Sequence, residues 1–173
     1  LIKLLDFFNF LPKYLFWPAL ILVGVAIGVL TIVYPYITGG GYVVIPQALA
    51  GHLAIGSLIL IFILRLGSTW TSYGTGAPGG IFAPMLALGT IFGMFFGHFA
   101  HEWFPSMISS PAVFAVAGMS ALFTATVGAP LTGIILVVEM TNNYALILPL
   151  VLTCFSATIT AYILGGHPIY ETL

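Results

Sequence analysis

The chain has 173 residues, of which 61% are hydrophobic and 4% charged, and its mean hydropathy is +1.19. A soluble domain carries about a quarter charged residues, so this composition excludes one and points to an integral membrane protein. Three Lys or Arg and a formal charge of −1 exclude a nucleic-acid binder, which needs a basic surface.

In chain order, Leu1–Phe10 reads as the end of a helix, and Tyr14–Tyr36 is long enough to span a bilayer. Thr38-Gly39-Gly40-Gly41 is a turn, and Val43–Ala50 is a helix too short to cross. His52–Trp70 is a second span and carries Arg65, which is expected to pair with an acid outside the chain or to lie near a membrane face. Ser68–Gly76 is rich in hydroxyls and leads into Gly76-Ala77-Pro78-Gly79-Gly80-Ile81-Phe82-Ala83-Pro84. Ile81–Phe99 is a third span, and His98–Ser110 an aromatic and polar loop at the interface. Ala112–Thr126 is short for a span. Gly128-Ala129-Pro130 breaks the chain again, Leu131–Met140 is half a span, and Thr141-Asn142-Asn143 is a loop. Tyr144–Leu164 is the last span, ended by Gly165-Gly166-His167-Pro168. Cys154 is the single cysteine; it excludes a disulfide within the chain and reads as a small core residue. No basic region and small-residue cleavage site precede the first apolar run, so no signal peptide is expected. The chain starts at Leu1 and stops just after a helix begins at Pro168; it is expected to be part of a larger protein.

The stretch from Gly76 to Pro84 carries most of the functional information. Glycine and proline interrupt helices. An interruption in lipid is tolerated only where it is buried in protein or lines a cavity. Here it opens into the apolar run from Ile81. A helix that starts inside the membrane aims free N–H groups and a positive dipole end at whatever precedes it, which makes an anion site from backbone. Short segments abutting such breaks point to a midplane binding site in a transporter-like fold.

Gly80-Ile81-Phe82-Ala83-Pro84 resembles the G-x-F-x-P signature of the CLC family of chloride channels and chloride/proton exchangers. Three further stretches agree in the family's order. Gly128-Ala129-Pro130-Leu131-Thr132-Gly133, running on to Glu139-Met140-Thr141, looks like its A-P-L-T segment. Gly39-Gly40-Gly41 resembles the glycine turn before the short helix. Gly165-Gly166-His167-Pro168-Ile169-Tyr170 is similar to the last membrane motif, which ends in a tyrosine. The resemblance covers essentially the whole chain and is closest to bacterial members.

The resemblance implies an all-α integral membrane protein with the CLC-type inverted-repeat fold and its broken, short and tilted helices. Residues 1–173 would be the C-terminal half of a single transport domain, in a multi-pass protein of a bacterial inner or plasma membrane. The first half of the family's domain carries the serine on the central ion, the gating glutamate of a G-K/R-E-G-P stretch and the inner proton glutamate. No such stretch exists here, so none of those roles falls on this chain.

It also implies that the backbone N–H groups of Ile81 and Phe82 hold the anion, with Tyr170 donating a hydroxyl. Gly79 and Gly80 would let the backbone come close and take positive φ, and Pro84 would fit the first helical turn. Partial charges suit a transported anion, because binding must be weak enough to reverse. The resemblance further implies a homodimer, with Ile134, Ile135, Val137, Val138, Ile147, Leu148, Val151 and Leu152 facing the second copy. Lipid would be an equally apolar neighbour for that face.

Glu139 is the acid inside an apolar run, and is expected to be tied by hydrogen bonds to Thr141, Asn142 or nearby amides. His98, His101 and Glu102 invite a zinc reading. The H-E-x-x-H pattern fails, because position 105 is Pro, and no metal site is expected. His52 and His167 sit at segment ends and carry no role.

The expected function is chloride transport, voltage-gated or proton-coupled, without enzymatic chemistry. Its partners would be chloride, protons in an exchanger, the N-terminal half of the domain, a second copy and the bilayer. No cofactor is needed beyond chloride as cargo. Three alternatives stand: a fluoride or other anion carrier of the same fold, a non-conducting membrane subunit, and an intramembrane enzyme using His101 and Glu102.

Overall fold

The computed structural model describes residues 13–75, 80–108 and 110–172. The predicted helix over Leu1–Phe10 and the loop residues Gly76 to Gly79 lie outside them. Among the described residues there are eight α-helices, a short 3-10 turn and no strand. They are α1 (Lys13–Val33), α2 (Val44–Leu49), α3 (Ile55–Gly74), α4 (Phe82–Trp103), α5 (Ala112–Val127), α6 (Pro130–Thr141), α7 (Ile147–Ile163) and α8 (Ile169–Thr172). The 3-10 turn, Tyr144–Leu146, leads directly into α7.

Among the described residues, three stretches are long and apolar enough to cross a membrane: Ile55–Gly74, Phe82–Trp103 and Tyr144–Ile163. Trp17–Val33, Ala112–Val127 and Pro130–Thr141 are shorter apolar helices. The helix predicted over Tyr14–Tyr36 ends at Val33, because residues 35 to 37 turn back toward α3. Most of the described side chains of α1 stand at the surface, Trp17, Leu22 and Ile32 among the most exposed.

α4 is the centre of the molecule. Its middle is buried from Met85 to Ile91, and α5 packs along it. The reason is a stripe of glycines at Gly89, Gly93 and Gly97, one per helical turn and so on one face. A Cβ at Gly89 would fall onto the carbonyl of Gly118, and one at Gly93 onto the carbonyl of Phe114. One at Gly97 would sit 2.6 Å from the carbonyl oxygen of Pro111. Gly118 answers from α5: its Cβ would lie 2.5 Å from the carbonyl oxygen of Gly89. The two backbones touch because no side chain separates them, the small-residue packing that membrane helices favour.

Side chains fill the space on either side of this seam. Met85, Met119, Phe123, Val137, Leu150 and Cys154 form one cluster, where α4, α5, α6 and α7 meet. Val44, Leu58, Ile91, Met94 and Ala115 form a second, which brings in α2 and α3. Cys154 is fully buried and free, in keeping with its reading as a small core residue.

The Gly128-Ala129-Pro130 break works as two ends back to back. Gly128 ends α5 in the left-handed conformation, φ 77°, with its N–H on the Thr124 carbonyl at 2.8 Å. Pro130 then opens α6 at a position that needs no donor. Gly133 permits a tight return, since a Cβ there would strike the Thr124 hydroxyl. Asn142, φ 49°, closes α6, and the Asn143 side chain accepts from the Ala145 N–H at 3.2 Å.

Candidate functional site

α4 starts at Phe82, one residue beyond the predicted Ile81. Ile81 already has helical angles, φ −73° and ψ −29°, and its carbonyl accepts from the Met85 N–H at 3.2 Å. The N–H groups of Ile81, Phe82 and Ala83 therefore precede the helical ladder and have no acceptor within it. Pro84 occupies the first turn, where its missing N–H leaves nothing unsatisfied. No side chain caps this end, and no acid lies in the first turn. The positive end of the longest helix is left bare of protein anions among the described residues. Phe82 is held beside it by an edge-on contact with Phe123, ring centroids 5.0 Å apart at 74°.

Gly39, Gly41, Gly51, Gly128 and Gly165 are described glycines with positive φ. A Cβ on Gly80 would meet no described atom within 4 Å. Gly79 lies outside the described residues.

The bare end opens on a groove of about 600 Å³. Gly80, Ala83 and Pro84 form one wall, Thr38, Gly39 and Gly40 another, and Ser68 and Ser72 of α3 a third. The glycine turn reaches α4 closely: a Cβ at Gly40 would lie 3.2 Å from the Ala83 methyl, and one at Gly41 2.5 Å from that of Ala87. The φ of 87° at Gly41 reserves that position for glycine in any case.

Behind the turn sits Arg65. It is 1% exposed within the fold, and no acid is among its partners in the described residues. Its Nη1 donates to the carbonyls of Tyr36 at 3.0 Å and Thr38 at 3.2 Å, and its Nη2 to that of Gly39 at 2.6 Å. A lone charge in an apolar run marks such a residue, but sequence does not say that its partners are main-chain oxygens.

Tyr170 is on α8, 65% exposed, and does not line the groove. Its motif nevertheless meets the other one: a Cβ at Gly128 would come within 2.9 Å of the Pro168 ring. Thus the Gly128 break and the Gly165–Tyr170 ending are neighbours.

The predicted contact face divides in two. Ile134, Val137 and Val138 are buried within the chain, Ile134 at 6% exposure, and are spent on its own core. They face inward because α6 folds back against α5 and α7. Ile135, at 63%, and Leu148, at 70%, project outward with Ile147 and Leu152, and Val151 is half-buried.

Glu139 is exposed rather than enclosed, and the Thr141 hydroxyl is bound to the Val137 carbonyl at 2.8 Å instead. The His101 ring binds the Ile108 carbonyl at 2.8 Å and so closes the loop after α4. Among the described residues no cluster of His, Cys, Asp and Glu suits a metal. His52 meets Gln47 at 3.2 Å.

The described fold is helical, and its central helix starts uncapped against a groove that carries hydroxyls and backbone amides among apolar side chains. Residues 1–162 match the voltage gated chloride channel family, and the chain is a member of that family. It is 55% identical over 152 residues to the H(+)/Cl(-) exchange transporter ClcA of Vibrio parahaemolyticus, covering 88% of this chain and 32% of that protein. With the protein of the same name from Yersinia pestis it shares 50% over 161 residues, 91% of this chain and 34% of the relative. The crystal structure of a slow cyanobacterial Cl−/H+ antiporter superposes with a TM-score of 0.92 at 44% identity, over 99% of this chain and 40% of that one. The chain therefore spans about a third of the length of the curated relatives it matches.

Proposed function

We propose that this chain forms part of a chloride/proton exchanger and supplies one side of its anion pathway. The observation that carries this reading is the uncapped start of α4, with the N–H groups of Ile81 and Phe82 free of intrahelical partners. The names of its relatives supply the cargo, chloride and protons. Hydroxyls and amides around the groove suit an anion that must be released again. Tyr170 donates the second contact to the same ion. The rest of the pathway, including the acids that carry protons, belongs to other parts of the whole protein.

The protein sits as a multi-pass component of a bacterial inner membrane and works as a homodimer. The outward apolar residues Ile135, Ile147, Leu148 and Leu152 support the dimer contact. The chemistry is binding and release, with no covalent step and no cofactor. Chloride flux from liposomes holding the full-length protein, with external pH recorded, tests this reading. Chloride efflux matched by opposed proton movement is expected; fluoride flux in its place, or none, would overturn it.

A further inference from the structure

The glycine turn that walls the groove beside α4 is held from behind by Arg65. The guanidinium holds the carbonyl oxygens of Tyr36, Thr38 and Gly39, and no carboxylate is among its partners. Its Nε is buried and unpartnered. A charged group so placed in a membrane segment is costly unless it has a task. A trans peptide sets its N–H opposite its C=O. With the Thr38 and Gly39 carbonyls turned onto Arg65, the N–H groups of Gly39 and Gly40 point away from it. Both glycines line the groove, and neither N–H donates to an acceptor among the described residues. The same turn is seated on Ala83 and Ala87, in and just after the first turn of α4.

We propose that Arg65 is a positioning residue for the anion pathway: it turns the carbonyls of the glycine turn away from the groove, so that the wall opposite the start of α4 presents donors. This rests on the anion-transport reading above. Without the guanidinium, the oxygens of Thr38 and Gly39 are free to face the groove and repel an anion. Charge alone does not do this work; the planar fork that reaches separate carbonyls does.

The test uses the full-length protein carrying Arg65→Lys or Arg65→Gln, with folding checked by size exclusion and circular dichroism. Lysine keeps the charge but lacks the fork. Both variants are expected to weaken chloride binding in calorimetry by about tenfold, the scale of one charge-assisted hydrogen bond. A folded Arg65→Lys protein with unchanged chloride affinity would overturn the proposal. A wild-type protein that binds no chloride would instead remove the transport reading itself. A second measurement leaves Arg65 in place. Ser72→Cys, in a full-length background otherwise without reactive cysteine, reports on the groove directly. Relative to a free thiol, it should react faster with an anionic than with a cationic methanethiosulfonate; equal or reversed preference would sink the proposal.

Discussion

The middle of α4 and its start use glycine for opposite ends. At Gly89, Gly93 and Gly97 the missing side chain lets the α5 backbone close in, and nothing else fits between. At Gly80 a Cβ would meet no described atom within 4 Å, and the neighbouring N–H groups have no intrahelical acceptor. One helix is thus sealed along its length and bare at its tip. The seal holds the helix; the tip is free to meet a ligand. A glycine in an apolar run does not announce which of these it serves.

The sharpest way to break the comparison is to fill the seal. Gly93→Leu in the full-length protein would drive a side chain into the Phe114 carbonyl and force α4 and α5 apart. Loss of at least about 3 kcal/mol is expected, at the upper end for an overpacked core, since the obstacle is backbone and not a movable side chain. Size exclusion should show aggregated protein. A monodisperse variant with an unchanged melting temperature would mean that the seam is loose.

Gly41→Ala comes next, at the hinge between seal and tip. The new methyl meets Ala87 at 2.5 Å and a backbone at φ 87°. A cost of about 2 kcal/mol is expected from the strain and the contact together. Thermal unfolding of the purified full-length protein measures it, and the chloride affinity should fall with it, because the turn forms a groove wall. Stability lost with affinity kept would separate the turn from the site.

How much of this was legible in the sequence follows the same division. The apolar runs and their glycine-proline breaks locate α5, α6 and the start of α4 within a residue or two, because a helix in lipid must satisfy its own backbone and stops only where residues compel it. The end of α4 runs four residues past the expected Phe99, to Trp103, where no glycine or proline stops it. The bare start of α4 was legible too, from the glycines and prolines around it. The four-residue spacing of Gly89, Gly93 and Gly97 was present in the sequence but was not singled out, since close helix contact depends on what the opposite helix offers. Direction was the least legible property. Ile134 and Ile135 are chemically identical neighbours, yet one is buried and the other exposed; only the fold-back of α6 decides. The partners of Arg65 were illegible for a related reason: they are carbonyls, which every residue carries.

Tyr170→Phe probes the tip from the other side. Since Tyr170 is exposed and outside both core clusters, folding should be unaffected. Loss of one neutral hydroxyl donor to an ion predicts a several-fold weaker chloride affinity, on the scale of about 1 kcal/mol. Calorimetry on the full-length protein checks this. Unchanged titration would detach Tyr170 from the ion and leave the amides of Ile81 and Phe82 as the sole contacts from this chain.

The smallest effect is expected at Gly80. A glycine before the anion helix invites the reading that no other residue is tolerated there. The described surroundings offer no obstacle: an added methyl touches no described atom within 4 Å. Gly80→Ala should therefore change stability by less than about 0.5 kcal/mol, the range of an unstrained surface substitution, with any gain coming from a stiffer unfolded chain. Melting temperature and chloride titration, measured side by side, sharpen the contrast with Gly93. If Gly80→Ala unfolds the protein, the start of α4 is packed in the whole assembly and the bare tip is no longer bare. If it folds but binds chloride poorly, the methyl stands where the ion approaches, and the position is reserved by the ligand rather than by the chain.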